Sequence, residues 1–138
     1  MKIIALALGL ALAGPAVAQE ATSDLTITFE TGRPSGRIML ALFDSKTAYD
    51  ANRPARAEAV PVGADGARVT LSGLAPGDYG FKAFHDLNGD GEMNTNPFGM
   101  PVEPYAFSNN AVGNMGPASW DRARFTVAGS TVQSIVIR

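Results

Sequence analysis

Oxygen-bearing side chains recur at alternate positions in one glycine-rich stretch of this 138-residue chain. The residues at the ligand positions of a calcium-loop pattern are Asp86, Asn88, Asp90, Glu92 and Asn94. Calcium prefers hard oxygen ligands, and Gly91 at the sixth position lets the backbone turn sharply around an ion. Glu92 would contribute its backbone carbonyl. The spacing therefore predicts a metal site with calcium as the cofactor; magnesium is less apt because it keeps more of its water.

The stretch departs from an EF-hand at its twelfth position. Pro97 stands where a bidentate glutamate belongs, and no helical pattern flanks the loop. Glu103, the nearest acid beyond the loop, is the candidate for the missing carboxylate. A second interpretation stays open, because Asn, Asp and Gly are also the residues that tight turns prefer. The stretch is thus either an ion site or a purely structural turn.

His85, the one histidine, directly precedes this loop. With Asp86 or Glu103 it could transfer protons, so the alternative function is a small periplasmic hydrolase, in the compartment that the N-terminus indicates. The chain has no cysteine and no Gly-x-Ser-x-Gly motif, and one imidazole cannot fill a site that needs two. A lone histidine is more often a structural hydrogen-bonding group. We therefore predict a non-catalytic module rather than an enzyme.

The N-terminus predicts export. Met1-Lys2 is followed by an apolar run over residues 3–13, then by Gly14-Pro15 and an Ala-x-Ala triplet that ends at Ala18. This is the pattern of a signal peptide, residues 1–18, cleaved after Ala18. The alternative, a membrane anchor, would need roughly 20 apolar residues. We expect a periplasmic or secreted protein without a membrane span in the mature chain.

The remaining residues, 19–138, are predicted to form one domain. Hydrophobic residues make up 46% of the chain and charged residues 17%, which permits a buried core. Lys and Arg number 11 against 13 acids, so the basic surface of a nucleic-acid binder is missing. We expect the partner to be a protein, peptide or glycan of the cell envelope.

Alternating apolar residues predict strands that hold the loop, beginning with Leu25, Ile27 and Phe29. The other predicted strands cover residues 38–43, 57–62, 68–71, 79–85, 123–127 and 132–137. Asp65-Gly66 is a hairpin turn signal, Ala128-Gly129-Ser130 predicts a final hairpin, and residues 44–55 are predicted as loop. We therefore expect an all-β fold, an antiparallel seven-stranded β-sandwich.

One long loop, residues 86–122, interrupts this pattern. It carries four aromatic residues, which disfavours disorder: Phe98, Tyr105, Phe107 and Trp120. Its polar groups, with Ser108-Asn109-Asn110 the most prominent, would suit a sugar or peptide surface. The alternative is that the asparagines and glycines form turns while Tyr105, Phe107 and Trp120 pack over the open edge of the sandwich. A further alternative is an assembly subunit whose sheet edge pairs with another chain.

Several segments together resemble a bacterial secreted family catalogued as domain of unknown function 2141. They are Leu74-Ala75-Pro76-Gly77-Asp78-Tyr79, residues 84–96, residues 99–105, Phe107-Ser108-Asn109-Asn110 and residues 116–120. The chain departs from the family's usual glycine at Ala106. The resemblance implies a sandwich similar to transthyretin-like and carboxypeptidase-regulatory-like domains, and it implies no established activity.

Overall fold

The computed structural model describes residues 13–16 and 21–138. The predicted signal peptide lies outside the described residues, apart from 13–16, and so does its cleavage point after Ala18. In the described part of the chain, we find no helix with the length and apolar character needed to cross a membrane.

Two β-sheets form the framework of the described structure. The strands are β1 (Ser23–Thr31), β2 (Arg37–Phe43), β3 (Arg56–Pro61), β4 (Ala67–Leu74), β5 (Gly77–Asp86), β6 (Tyr105–Phe107), β7 (Phe125–Val127) and β8 (Ser130–Ile137). Two short helices, α1 (Lys46–Asp50) and α2 (Trp120–Ala123), and a 3₁₀ turn (Ser108–Asn110) complete the elements. One sheet has the order β4-β1-β8, and the other has the order β3-β2-β5-β6, with β7 also paired to β5. The all-β prediction is confirmed at this level.

The strand count and the antiparallel arrangement differ from the prediction. The described residues contain eight strands rather than seven, and β8 runs parallel to β1 from Asp24↔Ser130 to Thr31↔Ile137. The first sheet is therefore mixed. Two parallel strands need a long crossover connection. Here the whole chain between the first and last strands forms that connection, so no local sequence pattern predicts the pairing.

The predicted C-terminal hairpin is wrong. Its two strands belong to different sheets, because β7 pairs with β5 whereas β8 pairs with β1. The turn around Gly129 thus carries the chain from one sheet to the other. The turn at Asp65-Gly66 does the same, since β3 pairs with β2 and β4 pairs with β1. A Cβ at Gly66 would lie 2.1 Å from the carbonyl oxygen of Phe29, so this crossing requires glycine.

The main core lies between the sheets. Leu25, Ile27 and Phe29 are all buried, as the alternation predicted, and so are the inward residues of β5. Phe81 lies at its centre, with ring centroids 6.4 Å from Phe29 and 5.8 Å from Phe125 in edge-to-face geometry. This packing joins the two sheets and fixes β5 in place. The acidic loop, residues 86–96, follows at the end of this strand.

A second cluster forms where loops were predicted. Residues 44–55 contain α1, whose first turn is capped because Ser45 Oγ accepts a hydrogen bond from the Ala48 amide at 3.1 Å. Tyr49 of this helix is buried, donates to the Ala118 carbonyl at 2.7 Å and lies edge-to-face with Trp120. The second half of the predicted strandless loop is therefore partly structured, by β6, the 3₁₀ turn and α2. Residues 87–104 and 111–119 remain outside the strands and helices.

Candidate cation site at the end of strand β5

The acidic loop starts where β5 ends, at the fully buried Asp86. Asp86 Oδ1 accepts a hydrogen bond from the Gly89 amide at 2.8 Å, and Asp86 Oδ2 accepts one from the Gly91 amide at 2.9 Å. Gly91 has a φ of 77°, a conformation that L side chains rarely adopt. The carboxylate of Asp86 therefore holds the backbone turn from Gly89 to Gly91 in place.

Glu103 lies beyond the acidic loop in the sequence but bonds to the backbone of that loop. Its carboxylate is buried and accepts hydrogen bonds from the Leu87 amide at 3.1 Å and from the Asn94 amide at 3.2 Å. One oxygen each of Asp86, Asp90 and Glu103 lies within 4.8 Å of the others. The residue that the sequence named for the missing carboxylate thus lies beside the first and fifth positions of the loop.

The other predicted ligands lie around this acidic cluster, but they contact it in different ways. Asn94 Nδ2 donates to Asp90 Oδ2 at 2.8 Å, and Asn88 Nδ2 donates to the same oxygen at 3.2 Å. Glu92 is exposed, and its amide donates to Asp90 Oδ1 at 2.9 Å. Both asparagines direct their amide nitrogens at Asp90, so rotation of these groups would be needed for their oxygens to face an ion.

Arg37 is the residue of this site that sequence reasoning missed. It stands opposite Asp86 in the β2–β5 pairing. Its Nε donates to Asp86 Oδ2 at 3.0 Å, and its Nη2 donates to the Gly89 carbonyl at 3.1 Å. Only the pairing register reveals this contact, because 49 residues separate the two side chains. Arg37 gives the buried carboxylate one positive partner and ties the loop to the sheet.

Hydrogen bonds favour the charged form of both aspartates. Burial by itself would raise the pKa of Asp86, but the hydrogen bonds from Arg37, Gly91 and Gly89 outweigh burial and lower that pKa. The pKa of Asp90 is also lowered, first by the Asn94 side chain and next by the Glu92 amide. At neutral pH the loop therefore presents ionised carboxylates.

His85 lies under the loop rather than at its surface. The side chain is buried, and its Nε2 lies 2.6 Å from the carbonyl oxygen of Ser35. An imidazole nitrogen at this distance from a carbonyl donates its proton and is occupied by that bond. The contact joins β5 to the turn before β2, which is the geometry of a structural histidine.

The asparagine motif at residues 108–110 bonds mainly to the protein's own backbone. Asn110 donates to the Ser134 carbonyl and accepts from the Val136 amide, each at 2.9 Å, so its side chain covers part of the outer edge of β8. Asn109 donates to the carbonyls of Arg122 and Arg124. Both asparagines have positive φ, which Asn tolerates better than most residues. This motif thus favours the structural interpretation over a sugar-binding surface.

An open groove of about 610 Å³ lies between β6 and β8, beside Glu103. Exposed apolar side chains line it: Val102, Tyr105, Val112 and Val136. Phe107 and Trp120, by contrast, are buried, as the prediction of aromatic packing expected, whereas Tyr105 and Phe98 are not.

The fold and the site together define the class of protein: a two-sheet β domain with an acidic, glycine-containing loop at the end of a central strand. The chain belongs to the family described as uncharacterized protein conserved in bacteria, domain of unknown function 2141, whose sequence profile matches residues 30–135. The match includes the acidic loop, Glu103 and the asparagine motif. Comparison with the curated proteins gives no match.

Proposed function

We propose that this protein is an exported, non-catalytic β-sandwich module whose loop binds calcium and thereby holds a partner-binding surface in place. The observation that carries the proposal is the convergence of Asp86, Asp90 and Glu103, whose carboxylate oxygens lie within 4.8 Å of one another. Glu103 reaches this position from beyond the loop. Carboxylate oxygens are the hard ligands that calcium prefers.

Charge balance supports a divalent ion at this position. Of the three carboxylates, Asp86 pairs with the Arg37 guanidinium, and two of the three, Asp86 and Glu103, are buried. Buried charge is costly unless it is paired, so a second positive group would stabilise the loop. Each carboxylate oxygen that accepts one hydrogen bond still has a lone pair for an ion. Rotation of the Asn88 and Asn94 amides would add two neutral oxygens and release donors that now bond to Asp90.

Calorimetric titration of calcium into chelator-stripped protein tests this proposal. We expect saturable binding in the wild type, and loss of binding in Asp90→Asn, which removes an exposed ligand with little risk to folding. The matched control is Glu92→Gln, in the same loop but outside the acidic cluster, which should bind as the wild type does. Binding should also raise the melting temperature, since a ligand at a hundredfold excess over Kd stabilises by about 2.7 kcal/mol. No binding at millimolar calcium would leave the loop as a structural turn.

The partner-binding part of the proposal depends on the groove beside Glu103. Exposed apolar side chains that cluster in one place mark interaction sites more often than chance. Tyr105 lines the groove, with about half of its surface exposed (49%). A protein, peptide or glycan of the envelope is the proposed occupant. We expect Tyr105→Ala to abolish capture of envelope components without lowering stability, and equal capture by the variant would contradict this.

Export and the finer fold assignment belong to the same proposal. The N-terminal pattern favours cleavage after Ala18, so mass spectrometry of the periplasmic protein should give a chain that begins at Gln19. The two packed sheets are compatible with a transthyretin-like or carboxypeptidase-regulatory-like sandwich. The hydrolase alternative has less support, because the buried His85 uses one ring nitrogen for a backbone contact.

A further inference from the structure

Asn88 is the one asparagine of the chain that glycine follows, and it lies in the exposed part of the acidic loop. An asparagine side chain can react with the backbone nitrogen of the next residue, because closing a five-membered ring brings the two groups together within one chain. Glycine offers no side chain to obstruct this attack, and the space where a Cβ of residue 89 would lie is open. We infer that Asn88 is a site of spontaneous deamidation, and that Asp86 restrains the reaction by holding the Gly89 amide.

The reaction needs no partner other than water. The Gly89 nitrogen loses its proton to solvent and forms a bond to Cγ of Asn88, and the Cγ–Nδ2 bond breaks with release of ammonia. Water then adds to one carbonyl carbon of the resulting succinimide and opens the ring. The product is an aspartate or an isoaspartate at position 88, with one more negative charge than before.

Hydrogen bonds at the two reacting groups have opposite effects. The Asp90 amide donates to Asn88 Oδ1 at 3.2 Å, and this polarises the carbonyl that is attacked. The Gly89 amide, which must lose its proton, donates to Asp86 Oδ1 at 2.8 Å. Ring closure therefore requires that Gly89 leave Asp86, and the buried carboxylate slows the reaction for as long as the loop stays closed.

Deamidation would change the candidate cation site, a consequence that rests on the proposed function. Asn88 Nδ2 lies 3.2 Å from Asp90 Oδ2, so an aspartate at position 88 would place a further carboxylate beside the cluster. Calcium affinity rises with the number of charged ligands, so this product should bind calcium more tightly. Isoaspartate would instead lengthen the backbone by one carbon and displace the ligands that follow.

The test is incubation of the full chain at mildly alkaline pH, with peptide mass mapping of every asparagine over time. We expect conversion at Asn88 before Asn94, which precedes the β-branched Thr95. Asp86→Ala should convert faster, by about tenfold if the restraint equals one hydrogen bond of about 1.4 kcal/mol. The matched control is Glu92→Ala, whose side chain makes no contact with the Gly89 amide in the described structure and should leave the rate unchanged.

Each outcome decides one part of the inference. Earlier conversion at another asparagine, or an unchanged Asn88, would overturn the assignment of Asn88 as the deamidation site. Equal rates in wild type and in a folded Asp86→Ala would overturn the restraint. Should circular dichroism show that Asp86→Ala does not fold, hydrogen exchange of the Gly89 amide in the wild type decides instead: exchange as fast as in the denatured chain overturns the restraint, and slower exchange supports it. Calcium titration of Asn88→Asp separates the deamidation proposal from the calcium-binding proposal. If Asn88 deamidates but neither the wild type nor Asn88→Asp binds calcium, only the proposed function is refuted.

Discussion

Replacing Ser108 by alanine should be among the most damaging small changes in this domain. The Ser108 hydroxyl is fully buried and links three chain segments. It donates to the Ala123 carbonyl at 2.5 Å and accepts from the Phe81 amide at 3.0 Å, at the point along β5 between its pairing with β7 and its pairing with β6. Ser108→Ala would leave two buried backbone groups without a partner.

The expected loss in the free energy of unfolding follows from those two backbone groups. A buried backbone donor or acceptor left unsatisfied costs about 1–3 kcal/mol, so the pair should lower the free energy of unfolding by about 2–6 kcal/mol. Domains of this size are stable by about 5–15 kcal/mol, so over most of these two ranges the variant still folds and its unfolding can be measured. Urea unfolding followed by the fluorescence of the buried Trp120, the one tryptophan, measures the change.

The control is Ser72→Ala, at an exposed serine of β4, which should change stability by less than about 0.5 kcal/mol. A loss in Ser108→Ala no larger than in the control would refute the reasoning. It would mean that water or a local shift of the backbone satisfies both groups, and that the hydroxyl does not hold the segments together.

Three further predictions follow from the same structure. Asn110→Ala should lower the free energy of unfolding by about 1–2 kcal/mol and uncover the edge of β8, which light scattering would detect as self-association. The pKa of Asp86 is lowered on folding, although burial opposes this, so its contribution to stability is present above about pH 4 and is lost as the pH falls through the lowered pKa. Urea unfolding across this range should therefore be less pH-dependent in Asp86→Asn, and an unchanged slope would contradict it. Gly80→Ala would place a Cβ 3.0 Å from the Trp120 ring, so we expect a loss of about 1–3 kcal/mol and a shifted tryptophan emission, whereas an unaltered spectrum would count against the tight contact.

Local sequence patterns were enough to predict the features that depend on residues close together in the chain. Alternation at Leu25, Ile27 and Phe29 identified the inward face of β1, because successive side chains of a strand point to opposite sides. The spacing of Asp86, Asp90 and Gly91 identified the loop for a similar reason: turn geometry and ion coordination both depend on neighbours within a few residues. Glu103 was reached by elimination, as the nearest remaining acid, and the structure places it beside the other two carboxylates.

Strand pairing and the contacts between distant side chains were decided only by the tertiary structure. The turns at Gly66 and Gly129 look like hairpins in sequence, but a turn does not reveal whether its second strand returns to the same sheet or crosses to the other. The parallel pairing of β8 with β1 joins the two ends of the domain, and the contact of Arg37 with Asp86 depends on the register of β2 against β5. The sequence by itself determined the all-β class, the acidic loop and its candidate ligands. The tertiary structure decided which sheet each strand joins and which charges meet, because these depend on contacts between residues that are far apart in the chain.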